Sequence, residues 1–488
     1  MIAADPLRKA LAGFMLGAAG MFATMYSTQA ILPELSRDFG ISPSRAGLSI
    51  SVVVLAVAVG GFVWGPVSDR IGRPRAIRAA SLLLVLPTIG VALAPGFEAL
   101  LVCRTLQGLC MPGLLAVGAP YVVEAFVPRI GARAMGYYVS ALVAGGLVGR
   151  LGVALATAVV GWRVAIGLLA VLPLAAAIAM RRGLPEPELA PRGGGWKRHL
   201  TNVPLLGVSI GGAALFFTFV GTFTFITYRL EEPPFSYSLA VASLVFLLWL
   251  TGLAGPLAGR LADRVGWRRL ALGTVGLSAV GLLLTLPDVL PLLVLGLACI
   301  AGAMFTGYTA TQLGVSDVAR VDRGAATALY FGIYYAGGAL GAYLPGLAWE
   351  TWGWSGVAAA GATALALAAV AFAFAGRPAR RPPGVAWIRG ARRCGRSPGP
   401  TAAAPASVHD HDVTVSMARH RGADALAQQA LDDADLTCTD HDHVGFAIAC
   451  QLNDGVRRLA DRRDVLRIDA EALEQRRSRR QLVLVHLG

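Results

Sequence analysis

The chain has 488 residues, 55% of them hydrophobic and 15% charged, with a mean hydropathy of +0.61 and a formal net charge of +14. Soluble domains carry about 25% charged residues, so this balance excludes an ordinary soluble domain. Nucleic acid is a poor explanation of the positive charge, because the arginines fall in short loops between apolar runs rather than on one basic face.

In chain order the apolar segments are 9–33, 46–68, 76–95, 98–126, 132–160 and 162–181. A polar, Pro/Gly-rich stretch follows over 182–202, then six more segments at 203–228, 237–259, 270–287, 290–314, 325–349 and 354–376. A bilayer core needs roughly 20 apolar residues per helical crossing. Lipid offers backbone amides no partners, so segments of this length are helices. Pro87, Pro112, Pro173 and Pro345 are expected to bend their helices rather than end them. The run after Lys9 is long enough to be a span and others follow it, so it reads as the first crossing rather than a cleaved signal. The six cysteines show no C-x-x-C spacing, and neither a disulfide framework nor a metal site is indicated.

Loop charge sets orientation. Arg8, Lys9, Arg70, Arg73, Arg75, Arg78, Arg129, Arg133, the basic residues of 181–198, Arg260, Arg264, Arg268, Arg269, Arg320 and Arg323 share one side, with only Arg37, Arg45, Arg163 and Arg229 on the other. Both termini are therefore expected in the cytoplasm.

The two halves repeat. Asp69 and Asp263 are 194 residues apart, Gly131 and Gly324 are 193 apart, and the Gly-Trp pairs at 161 and 353 are 192 apart. Gly145 is matched with Gly338. The reading is an all-α polytopic membrane protein of twelve transmembrane helices in two pseudo-symmetric six-helix bundles. Its expected divisions are an N-terminal bundle (1–181), a cytoplasmic linker (182–202), a C-terminal bundle (203–376) and a polar, disordered or weakly folded tail (377–488). Transporters with parallel halves hold substrate between them near the midplane and alternate access by rocking.

The run GPVSDRIGRPR resembles the motif between helices 2 and 3 of the major facilitator superfamily, G-x-x-x-D-R-x-G-R-[RK]. It is met as Gly65, Asp69, Arg70, Gly72 and Arg73, with Pro74 separating the last two arginines. A second copy in GPLAGRLADRVGWRR supplies Gly259, Asp263, Arg264 and Gly266, with Trp267 where the arginine would stand. RTLQGLCMPG resembles the R-x-x-Q-G motif in helix 4 of that family's proton-coupled exporters, met as Arg104, Gln107 and Gly108. The Gly-rich fifth segment resembles the YnfM-type bacterial branch, near the arabinose and drug efflux permeases, but lacks the proline of the drug antiporters' G-P-x-x-G-G. The resemblance covers about residues 9–376. It implies that Asp69 faces the start of helix 11 near Gly324, that Arg73 pairs with Glu124, that Asp263 faces the start of helix 5 near Gly131, and that Asp317 meets Arg268 or Arg269. A carboxylate at a helix N-terminus is worth roughly 0.3–2 kcal/mol, and together these contacts would clamp the cytoplasmic side shut. Gly65 and Gly259 are expected to let helix backbones approach.

An ionised side chain at membrane depth is a functional hypothesis by default. Arg104 and Arg150 are two such residues, and neither has a charged counterpart in the second half. Arg150 is assigned to the substrate. Arg104 is assigned to coupling, against Glu34, with snorkelling to the outer interface as its structural alternative. Tyr26, Gln29, Tyr137, Tyr138, Thr222, Tyr228, Tyr308, Thr311, Gln312, Tyr330, Tyr334 and Tyr335 are candidates to line a cavity. The expected function is a secondary active transporter, not an enzyme and without cofactor. It would be a proton-coupled exporter of a drug- or sugar-like solute, monomeric in a bacterial inner membrane and without a nucleic-acid partner. Uptake of a small organic anion is the same-class alternative, and a non-transporting sensor or scaffold the alternative of another class. The tail holds two HDH triplets, His409–His411 and His441–His443, with nothing to fix a metal geometry.

Overall fold

A computed structural model describes residues 4–127, 133–185, 196–319 and 322–375, and all regular structure among them is helical. The tail with its histidine triplets, residues 186–195 of the linker, and Gly131 lie outside the described residues. The spans are α1 (Arg8–Phe39), α2 (Pro43–Ile71), α3 (Arg73–Ala92), α4 (Phe97–Phe126), α5 and α6 (within Arg133–Ala179), α7 (Val203–Glu231), α8 (Leu239–Leu253 with Leu257–Val265), α9 (Trp267–Leu284), α10 (Leu290–Val318), and α11 and α12 (within Arg323–Ala375). The chain is thus an all-α polytopic membrane protein with twelve spans in two six-helix halves among the described residues.

The glycines that anchor the repeat are the turns. Gly161 (φ 78°, ψ 157°) reverses the chain between α5 and α6, and Gly353 (φ 57°, ψ −142°) does so between α11 and α12. Gly72 (φ 87°, ψ 142°) and Gly266 (φ 83°, ψ 148°) make matching turns between α2 and α3 and between α8 and α9. These backbone conformations belong almost solely to glycine.

Small residues bring helices together inside each half. A Cβ at Gly145 or Gly149 of α5 would lie 2.1 Å from the carbonyl oxygen of Ala19 or Ala23 of α1. A Cβ at Gly337 or Gly341 of α11 would lie 2.5 Å from that of Ala213 or Phe217 of α7. The helix-packing repeat therefore pairs Gly145 with Gly337, one residue off the match to Gly338 expected from the sequence. Of the four prolines, Pro87 and Pro345 lie inside continuous helices, while Pro112 and Pro173 follow single-residue interruptions at Met111 and Ala170 within one span.

Besides α4, which is interrupted at Met111 and ends in a π-helical turn at Val122–Phe126, three spans expected to be continuous depart from regular α-helix. α1 breaks after Met25, turns through Tyr26–Thr28, makes a 3₁₀ turn at Gln29–Ile31 and resumes as Leu32–Phe39. α5 widens into a π-helical turn at Val148–Gly152. α8 is wound as 3₁₀ helix over Ser243–Ala254 and bends by 56°. Such irregular turns often mark functional positions.

Contacts between the halves gather at the end away from the Gly72 and Gly266 turns. There Arg37 bridges to Glu231 (2.8 Å), Ser36 Oγ and the Tyr228 hydroxyl share a hydrogen bond (2.6 Å), and the Ser44 N–H donates to Glu350 Oε1 (3.0 Å). Nearer mid-depth, Ser51 Oγ donates to the Ala339 carbonyl at 2.8 Å. At the end carrying those turns, Gly65, Gly259 and Gly324 face open space. The expected backbone approach at Gly65 and Gly259 is therefore corrected: the halves still touch where a Cβ at Gly332 of α11 would lie 2.9 Å from the Phe62 ring of α2, and open space at these glycines begins beyond that contact.

Candidate substrate site at the seam

Arg104 has none of its surface exposed, so it does not snorkel. Its Nε donates to the Ser49 carbonyl (2.8 Å), Nη1 to the Thr24 carbonyl (2.7 Å) and Gln107 Oε1 (2.8 Å), and Nη2 to the Met25 carbonyl (2.7 Å). The break in α1 leaves carbonyls without their helical donors, and the guanidinium takes up two of them. Buried backbone polar groups need such partners. Gln107 is fixed in turn, its Nε2 donating to Thr88 Oγ1 at 3.0 Å. A Cβ at Gly108 would meet the Val53 carbonyl at 2.4 Å, so that glycine serves the α2–α4 contact. The expected Arg104–Glu34 pair does not form: Glu34 binds Arg37 on its own helix, at the surface. Arg104 tethers α4 to α1 and α2.

Arg150 is different. It is 1% exposed and stands in the π-helical turn of α5. Its Nε donates to Gln29 Oε1 (2.6 Å) and its Nη1 to the Gly146 carbonyl (3.0 Å), the latter within its own helix. Gln29 reaches into the second half, its Nε2 donating to Thr224 Oγ1 of α7 at 3.0 Å. The guanidinium carbon lies 3.8 Å from the ring centre of Tyr26 and 4.0 Å from that of Trp249. Cation–π contacts at this range offset part of the cost of burying the charge. No carboxylate pairs with Arg150 among the described residues, and Arg150 Nη2 and Trp249 Nε1 are both buried without a hydrogen-bond partner. Irregular turns of α1, α5 and α8 thus meet at one cation on the seam.

The sequence candidates sort around this centre. Tyr26 and Gln29 touch Arg150. Thr222 on α7 is buried with its hydroxyl unpartnered. Tyr308, Tyr330, Tyr334 and Tyr335 form an aromatic cluster in the second half, in which Tyr334 stacks on Phe216 at 4.3 Å, Gln312 Nε2 donates to the Tyr308 hydroxyl (3.0 Å), and Tyr330 shares a hydrogen bond with Thr311 (2.7 Å). Tyr138 stays within the first half, donating to the Leu114 carbonyl and stacked on Phe14. Tyr137 is 53% exposed, and Tyr228 belongs to the closed end. Trp249, Phe246 and Thr224 were not singled out from the sequence, since an apolar or small polar residue in a span carries no distinguishing signal until its neighbours are known.

At the open end, Arg73 and Glu124 form the expected ion pair, 2.8 Å long and partly buried. Asp69, Arg70, Asp263 and Arg264 are exposed. Asp69 does not engage the α11 start, where Gly324 faces open space. The proposed partner of Asp263 at Gly131 lies outside the described residues. The donor to Asp317 is the Trp267 indole (3.0 Å), in place of the expected arginines, while Arg268 donates to the Phe372 and Ala373 carbonyls near the end of α12. The tryptophan that departs from the motif thus takes over the arginine's role toward the acid. Among the described residues no His, Cys, Asp or Glu cluster could hold a metal ion.

Comparison with known proteins agrees with this architecture. The Major Facilitator Superfamily profile matches residues 14–252 and 232–410. The inner membrane transport protein YnfM of Escherichia coli K12 is 33% identical over 362 residues, covering 72% of this chain and 87% of the relative. The MFS-type transporter YybF of Bacillus subtilis is 29% identical over 359 residues, covering 72% and 89%. Among solved structures, a bacterial homologue of the lysosomal transporter Spinster, inward-facing and occupied, superposes with a TM-score of 0.62 at 17% identity over 76% of this chain and 96% of that one. The nucleoside transporter NupG superposes with a TM-score of 0.62 at 13% identity over 75% and 100%. With a matching profile across both halves and a relative one-third identical over most of its length, this multi-pass membrane transporter belongs to the Major Facilitator Superfamily.

Proposed function

We propose that the protein is a secondary active exporter that carries a small solute across a bacterial inner membrane in exchange for protons, by rocking of its two halves about a site at Arg150. The observation that carries this reading is the seam itself: Arg150 and Gln29 of the first half are held against Trp249 and Thr224 of the second, so a change in the angle between the halves must remake the surroundings of that charge. In this reading the termini and the Gly72 and Gly266 turns are cytoplasmic, and the conformation is open inward. Asp69 and Arg73 with Glu124, and Asp263 with Asp317 and Trp267, would then close the cytoplasmic side in the other state. The proton would act at Glu231 of the closed end, whose side chain is 13% exposed with Oε1 buried and unpartnered, rather than at the more exposed Glu34. Uptake of a small organic anion is the second reading, favoured by the absence of a carboxylate partner for Arg150 among the described residues.

Reconstituted protein in proteoliposomes, given an imposed pH gradient and a panel of labelled solutes, tests both. Exchange predicts accumulation of solute on the proton-rich side, collapsing with a protonophore. Accumulation that follows the proton inward supports uptake. A panel covering anions, sugars and cationic drugs that shows no protein-dependent flux overturns transport.

A further inference from the structure

Two hydrogen-bond donors at the seam have no partner, and both belong to side chains more than nine-tenths buried: Arg150 Nη2 and Trp249 Nε1. Buried donors are paired in the great majority of structures, and an orphan usually marks a missing ligand, ion or water. Here two occur against each other, with the guanidinium carbon 4.0 Å from the indole ring centre, and one carries a full charge that no described carboxylate balances. The site has a cation and a neutral N–H and lacks an acceptor with negative charge. The rings packed on Trp249 have one chemistry: the Tyr26 ring centre lies 5.8 Å from that of Trp249, Phe219 5.7 Å and Phe305 5.1 Å.

We propose that the substrate of this site is an aromatic monocarboxylate, its carboxylate oxygens accepting from Arg150 Nη2 and Trp249 Nε1 and its ring seated against Tyr26, Phe219 and Phe305. The proposal rests on the transport reading above and names its substrate class. A carboxylate neutralises the buried guanidinium and satisfies both orphan donors, and charge-assisted bonds of this kind are the strong ones. Aromatic walls add edge-to-face and offset contacts that a saturated ring makes less well. A halide would satisfy the charge and leave the rings unused. The close packing at Gly146 belongs to the same device: a Cβ there would lie 2.9 Å from Trp249 Nε1 and 3.2 Å from Arg150 Nη1.

The test is binding to the full chain purified in detergent, read by tryptophan fluorescence and by thermal midpoint, with benzoate as the probe against cyclohexanecarboxylate, benzyl alcohol and chloride. The expected result is saturable benzoate binding, cyclohexanecarboxylate weaker by severalfold, and none with benzyl alcohol. Trp249→Phe keeps the ring and removes the N–H, and should weaken benzoate by about tenfold, the scale of one buried charge-assisted hydrogen bond. Gly146→Ala obstructs Trp249 Nε1 from a neighbouring position and crowds the Arg150 guanidinium at Nη1, so it should do the same. Its monodispersity and unliganded midpoint report folding should Trp249→Phe prove unstable. Benzoate binding no better than benzyl alcohol, or unchanged in both variants, overturns the proposal, as does a site that chloride saturates and benzoate cannot compete for. Benzoate binding without flux in proteoliposomes leaves this site standing and removes the transport reading. Flux of another solute without benzoate binding does the reverse.

Discussion

The Glu350 carboxylate of α11 accepts the backbone N–H of Ser44, 3.0 Å away across the seam, in the first turn of α2. A carboxylate at a helix N-terminus meets unsatisfied N–H groups and the positive end of the helix dipole. That is the arrangement the repeated motif was expected to make at the other end of the molecule. Here it works at the closed end, beside the Arg37–Glu231 pair. Glu350→Gln keeps the shape and removes the charge, so it should loosen the closed end, and the double variant with Glu231→Gln should loosen it further. Spin labels on exposed Leu93 and Trp352, one in each half, should show a longer-distance population growing in that order. An unchanged distance distribution in the double variant would remove the latch.

Arg104→Gln should act on stability before anything else. That guanidinium donates four strong hydrogen bonds, three of them to carbonyls of α1 and α2. Charge-assisted bonds contribute about 1.5–3 kcal/mol each, and carbonyls left buried and unpaired add to the loss. The thermal midpoint in detergent should fall by several degrees, with downhill and uphill flux declining together per unit of protein. Arg104→Lys should rescue little, since a point charge on a flexible stem cannot serve acceptors spread over a planar fork. A variant with an unchanged midpoint that loses accumulation but keeps downhill flux would restore the coupling role assigned from the sequence.

The turn glycines offer a control in which backbone strain stands alone. At Gly161 and Gly353 an added Cβ would meet nothing within 4 Å, yet both lie in a region of backbone space open almost only to glycine. Gly161→Ala and Gly353→Ala should each cost about 1–3 kcal/mol. Gly65→Ala, equally open but inside α2, should be neutral or stabilising by about 0.4–1 kcal/mol through the unfolded chain. Chemical unfolding of the three variants in detergent checks this, and equal effects at Gly65 and Gly353 would contradict it.

The fold was legible because lipid leaves few choices: apolar run length gives the spans, and the offset of about 193 residues gives the halves. The Gly-Trp pairs at 161 and 353 were readable as landmarks, and the structure turns the chain at both glycines. The Arg73–Glu124 pair was legible because the motif's spacing carries it. The break in α1 was only partly legible. Pro33 in the first turn of the resumed helix marks a discontinuity, but MYSTQA itself contains no glycine or proline, and the Thr24 and Met25 carbonyls are satisfied by Arg104, some 80 residues later. Without that partner in view, Arg104 looked like half of a charge pair with Glu34. Trp249 was hidden for the same reason, since its significance lies in an unpaired N–H beside Arg150. Long-range polar complementarity is the information one sequence withholds.

Asp69 is the remaining test, because its expected partner is absent from this conformation. The carboxylate is exposed, Gly324 at the start of α11 faces open space, and only the Arg73–Glu124 part of the motif is engaged. If the motif closes this end in the alternate state, Asp69 contributes there and nowhere else. Asp69→Asn should therefore leave the thermal midpoint of the present conformation unchanged while lowering the population closed at the motif end. Labels on exposed Arg70 and Arg264, one in each half, should lose their short-distance component, and turnover should fall because the return step is disfavoured. The effect should be up to about thirtyfold in the population ratio, the upper size of a carboxylate's interaction with a helix N-terminus. Asp263→Asn should do less if Trp267 and Asp317, already joined at 3.0 Å, hold the second cluster without it. A drop in midpoint with no change in distances would make Asp69 a structural residue of the turn and leave the closed state to be held by other contacts.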